Sequence, residues 1–109
     1  MINITFEGES LHEACVDLHK AEQAYGSIAA ASLVTFLSDA QAFETADELI
    51  DLFGHDINIS VNDSLSVAIG SDYRAALVVV GTRHKVDASG RIVWSSVTRL
   101  KLLEISRLP

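Results

Sequence analysis

His12, Cys15 and His19 stand at i, i+3 and i+7 in a stretch with helical apolar spacing, so their side chains can share one side of a helix. Imidazole and thiolate are ligands for zinc and other transition metals, and Glu22 extends the strip by one more turn. A plainer role is open to each of them. Cys15 borders the apolar face formed by Leu11 and Leu18, where a small thiol packs without any function, and the histidines then flank the helix in solvent. As a nucleophile with a histidine base, Cys15 is poorly served. A helix dipole acts mainly on the first turn, and the acids Glu13, Asp17 and Glu22 raise the pKa of a nearby thiol. A small metal-dependent or Cys/His enzyme therefore ranks third among the functional readings.

Other candidates for chemistry are weaker. His55 and Asp56 follow Gly54 and can orient one another, but two adjacent polar residues more simply make a solvated connection. Glu44 with Glu48, and Asp47 with Asp51, are carboxylate pairs at i, i+4 on exposed helix faces. Glycosidase-type catalysis needs one carboxyl of a pair to be partly desolvated, and an exposed helix face does not supply that. The six glycines stand singly at element boundaries, so none forms a phosphate-cradling loop. No cofactor is expected, and the reading is of a protein without catalysis.

Charge layout carries more information. Residues 1–72 hold thirteen of the fifteen acids and one base, Lys20, for a net −12; residues 73–109 hold seven bases and two acids, for a net +5. The overall −7 thus conceals a bipolar chain. One reading has acidic helices and basic strands neutralising each other across one fold. Another is a negative surface, with Glu44, Asp47, Glu48 and Asp51 at its centre, that docks on a protein partner with a basic surface. This second reading leads: a small acidic adaptor or inhibitor. The alternative is a nucleic-acid-binding module built on the basic C-terminal hairpin, in which Trp94 lies among Arg83 and Lys85 and stacks on a base. Against it, Arg91, Arg99 and Lys101 point to the opposite face in the same register, and Trp94 has a core role available. A bulge near Ser95 and Ser96 would bring the bases together. Pairing of two copies, through charge or a strand edge, also fits the layout.

These side chains need elements to position them. Ile2, Ile4 and Phe6 alternate with Asn3 and Thr5, the period of a half-buried strand ended by Gly8. Residues 10–25 read as one amphipathic helix with a Ser10–Glu13 capping box and an inner face of Leu11, Ala14, Leu18, Ala21 and Tyr25, stopped by Gly26. Residues 27–43 are ambiguous, and the spacing of Leu33, Phe36, Leu37, Ala40 and Phe43 favours a helix. Thr45 and Glu48 form a second capping box ahead of Leu49, Ile50, Leu52 and Phe53. Strands follow at 57–61, 65–69 and 75–86. Asp87 to Gly90 is a four-residue hairpin loop that sets Val86 opposite Arg91, and the last strand runs from Arg91 to about Ile105. The expected fold is a single α+β domain over residues 1–109. Its order is β-α-α-α-β-β-β-β, with helices on one face of a mainly antiparallel sheet of about five strands.

Composition closes off several classes. With 109 residues and 49% hydrophobic residues the chain has the size and content of one globular domain. A lone cysteine rules out an internal disulfide framework. The longest largely apolar stretch, residues 27–37, is too short to span a bilayer, and the first residues lack the basic and apolar regions of a secretory signal. A cytoplasmic location without membrane contact is the expectation.

Overall fold

The computed structural model describes residues 2–60, 63–81 and 84–108. It is an α+β fold in which helices precede most of the strands. The chain runs β1 (Asn3–Phe6), α1 (Glu9–Val16), α2 (Leu18–Tyr25), α3 (Ser27–Ala42), α4 (Ala46–Phe53), β2 (Ile57–Ile59), β3 (Leu65–Ile69), β4 (Tyr73–Val79) and β5 (Arg99–Arg107). Short 3-10 turns occupy Gly54–Asp56 and Trp94–Ser96. The five strands form one sheet in the order β1-β5-β4-β3-β2. Three pairings are antiparallel, and β1 lies parallel to β5, with Ile4 opposite Leu100 and Phe6 opposite Leu102. The meander from β2 to β5 thus brings the last strand back beside the first, making β5 an interior strand. Among the described residues no helix is long and apolar enough to cross a membrane.

The core follows the two periodicities that the sequence displays. Leu65, Val67 and Ile69 of β3, Ala75 and Leu77 of β4, and Leu100 and Leu102 of β5 are buried on the helix side. The residues between them form the open face: Ser66, Arg74, Arg99 and Lys101 project there. From above, α3 contributes Leu33, Phe36, Leu37 and Ala40, the face expected for a helix, which decides the ambiguous stretch. Gly70 lets the β3–β4 turn close against this helix. Its φ is +65°, and a Cβ there would sit 3.4 Å from the Ala29 Cα.

Where the expected helix 10–25 was continuous, the fold has two. Asp17 takes an extended conformation, φ −123°, and its carboxylate accepts from the N–H groups of His19 at 3.0 Å and Lys20 at 3.4 Å, capping α2. A helical pattern in sequence does not reveal that an aspartate inside it will act as a cap. Leu18, expected in the core, is consequently 51% exposed, while Leu11, Ala14, Ala21 and Tyr25 keep their inward positions. The Ser10–Glu13 capping box does not form. α1 starts one residue earlier with Gly8 at the cap, and Glu13 pairs instead with the Lys20 ammonium at 3.2 Å. Asp17→Ala should lower stability by about 1 kcal/mol through loss of this cap. A urea midpoint unchanged by the substitution would contradict the break.

The C-terminal hairpin also differs from expectation. β4 ends at Val79 rather than continuing to residue 86, because the chain leaves the sheet at Gly81, whose φ is +84°. Residues 84–93 make a small separate loop in which Val86 bridges Ile92, so the turn holds five residues and the register is one off the expected Val86–Arg91 pair. Asp87 organises it, its carboxylate accepting from Ser89 N–H at 2.8 Å and Arg91 N–H at 3.0 Å. Ser95 and Ser96 lie in a 3-10 turn, not a bulge. The bulge is in β5, where Leu77 faces Leu102 but Ala76 faces Glu104, leaving Leu103 extra. The expected strand position Val61 lies outside the described residues.

Candidate functional site

α4 is a two-turn helix docked by one side. Its Ala46 N–H donates to the Val97 carbonyl at 2.9 Å, and Ala46 and Leu49 are fully buried, with Ile50 and Phe53 packed at the core margin. This burial turns the polar positions outward by helical spacing. Glu48 and Asp51 are exposed, Asp47 is half-buried, and Glu44 is exposed just ahead of the cap residue Thr45. The structure therefore brings the four expected acidic residues together on one helix and its lead-in. The capping box is altered in detail. Thr45 occupies the cap position, but its hydroxyl donates to the carboxylates of Asp47 and, at 3.3 Å, Glu48 rather than serving a backbone N–H.

No cation meets these four carboxylates among the described residues. The ion pairs are elsewhere: Lys20 with Glu13 at 3.2 Å, Lys101 with Glu7 at 2.6 Å and Arg91 with Asp63 at 2.7 Å. Arg74 lies across the open sheet face, its guanidinium donating to the Ser66 hydroxyl at 2.7 Å and the Ser66 carbonyl at 3.0 Å. Among the described residues, mutual neutralisation of acids and bases is thus local, and α4 is outside it. Asp47 and Glu48 in the first turn favour the helix dipole, so part of this charge supports the helix itself; Asp51, one turn on, does not. Beside the acids, Leu52 is 58% exposed.

Trp94 and Lys85, from the nucleic-acid alternative, lie on the same excursion between β4 and β5, and Arg83 lies outside the described residues. Trp94 is half-buried against the hydrophobic core, in the turn that packs on α4. Lys85 is exposed, with its backbone N–H held by the Ser96 hydroxyl at 2.8 Å. The remaining bases are dispersed. Arg99 and Lys101 are on the open sheet face, and Arg91 clamps the loop onto Asp63, where Ile92 N–H adds a bond at 3.1 Å. The Arg91 hydrogen bond, with help from Ile92 N–H, holds the Asp63 carboxyl below the usual carboxylate range. Sequence reasoning missed this clamp, because its partners are 28 residues apart and Arg91 read as the first residue of the last strand.

The helix break separates the metal-ligand candidates. His12 and Cys15 line a groove of about 430 Å³ of mixed character between α1, β1 and α3, with Phe6, Leu37, Ser38 and Gln41. His12 rests against the Phe6 ring, centroids 5.1 Å apart, whereas His19 is on α2 beside Gln23 at 3.3 Å. Among the described residues no three His, Cys, Asp or Glu side chains are grouped to hold a metal ion. Burial pushes the Cys15 thiol up to about 11; the cause is desolvation rather than the acidic neighbours expected from sequence. The thiol is thus held protonated, with no activation as a nucleophile. Alkylation of Cys15 by iodoacetamide should keep accelerating through pH 10, where an ordinary thiol levels off above about 8.5. A rate that is flat by pH 9 would contradict this environment. His55 and Asp56 are exposed on the 3-10 turn after α4, with no hydrogen bond between them among the described residues.

Comparison with protein-family models, with curated proteins and with solved structures gives no match to this chain.

Proposed function

We propose that the protein is a small cytoplasmic binding module without catalytic activity, an adaptor or inhibitor that docks its α4 surface on a basic surface of a protein partner. The observation that supports this is the set of carboxylates on Glu44, Asp47, Glu48 and Asp51, gathered on one short helix and its lead-in. Among the described residues none of them has an ion-pair partner. A partner's lysines and arginines would supply the missing countercharge and steer association, and the exposed Leu52 gives an apolar contact within the charged surface. A second copy offers some of the same chemistry through its exposed Arg99, so sedimentation at low and moderate salt belongs with the test.

Trp94 is a built-in reporter, because its turn packs on α4. Titration with a synthetic peptide of alternating lysine and leucine, followed by Trp94 emission and by calorimetry, should give saturable binding that weakens as salt is added. Absence of both heat and spectral change at low salt would overturn the reading. Mixed single-stranded DNA should leave the emission unchanged. Strong quenching that falls steeply with salt would instead place function on Lys85 and Trp94.

A further inference from the structure

A cleft of about 380 Å³ opens at the C-terminal end of α4, between α3 and the β3–β4 turn, lined by Ser32, Thr35, Phe36, Phe53, Asp56 and Gly70. It exists because Ala31, Ser32, Ala68 and Gly70 on its walls are small and because β2 is short. The last β2–β3 pair is Ile57 with Val67, so the end of β3 has no strand beside it there. Phe36, 1% exposed, forms the apolar floor. Its edge-on contact with Phe53, centroids 5.4 Å apart at 69°, fixes the second ring. Ser32 and Thr35, one turn apart on α3, bring hydroxyl groups, and Asp56 brings a carboxylate that meets no base among the described residues. The C-terminus of α4 adds the negative end of a helix dipole.

We infer that this cleft receives an arginine side chain of the basic partner. The inference rests on the proposed function and deepens it, by giving the partner an anchor next to the acidic surface. The cleft joins the accessible part of the half-buried Phe53 ring, backed by Phe36, to one full negative charge and two hydroxyl acceptors. A guanidinium answers all three: it is planar and weakly hydrated, stacks on aromatic rings, and directs five N–H donors in a fork while accepting none. Its three-carbon stem covers apolar surface. An ammonium matches the charge but is strongly hydrated and stacks poorly. A neutral aromatic group would leave Asp56 and the hydroxyls without donors, and an anion would be repelled.

The probe is acetyl-arginine methylamide, added to isotope-labelled protein while the backbone amides of Ser32, Thr35, Asp56 and Gly70 are followed by NMR. The shifts should saturate, and acetyl-lysine methylamide should bind several-fold more weakly. Asp56→Asn, at an exposed position, should weaken the arginine probe by about fivefold or more. Ala31→Met, at an exposed lining position on α3, should fill the mouth and abolish the response. Equal responses to the two probes, or no effect of Asp56→Asn, would overturn the inference. The two proposals fail separately. Binding of the lysine–leucine peptide with no saturable response to acetyl-arginine methylamide removes only the cleft, whereas Asp56-dependent cleft shifts without peptide binding remove only the α4 surface.

Discussion

Replacing Phe36 with alanine should cost about 3–5 kcal/mol of folding stability. That is a large share of the roughly 5–15 kcal/mol that holds a domain of this size together. The side chain is 1% exposed at the centre of α3, belongs to the cluster joining α3 and α4 to the sheet, and touches the Phe53 ring edge-on. Truncation removes apolar burial and leaves a cavity whose walls are fixed, because the sheet below and the helices beside it are held by other contacts. Phe36→Leu should recover part of the loss by refilling the space. Urea denaturation measures both. A loss under about 1 kcal/mol for the alanine variant would show that α3 is not anchored there.

The double substitution Glu48→Gln with Asp51→Lys should move stability and binding in opposite directions. A lysine at position 51 has Asp47 one turn before it and replaces an acid near the C-terminus of α4; together these gains outweigh the first-turn dipole stabilisation lost with Glu48, so the fold should gain a few tenths of a kcal/mol. Glutamine at 48 keeps an acceptor for the Thr45 hydroxyl. Affinity for a lysine–leucine peptide should nevertheless fall about tenfold or more, because the local charge changes by three units where the partner's cations dock. This opposition separates a functional surface from a merely solvated one: like charges on one helix are retained against stability when binding needs them. A variant that is stabilised and binds the peptide as well as the native chain would count against the acidic surface.

Much of the architecture was legible in the sequence because it rests on periodicity. The buried face of α3 is the one that its apolar spacing marks out, β3 occupies the residues expected for it, and Gly90, with a positive φ, lies in the turn expected there. What was not legible depends on competition between local and distant partners. Asp17 could continue a helix or cap a new one, and packing of α1 and α2 on different neighbours decides for the cap. The β-branched run Val78–Val80 gave no sign that the chain would leave the sheet at Gly81 and return only at Arg99. That departure moved Trp94 from an expected strand face to a turn against α4. The parallel β1–β5 pair was hidden for a related reason, since pairing direction between the two ends of a chain has no local signature. Of the candidate sites, the acidic one was visible because four acids within eight residues are visible; the cleft beside it was not, because its walls come from three separate segments.

The most direct test of the acidic α4 surface as the binding site is to map where the lysine–leucine peptide lands. Amide and indole shifts of labelled protein should concentrate on residues 44–53 and on Trp94, and fade together as salt is raised. Shifts centred on residues 84–91 or on the open sheet face around Arg74 and Lys101, or spread evenly over the molecule, would contradict it.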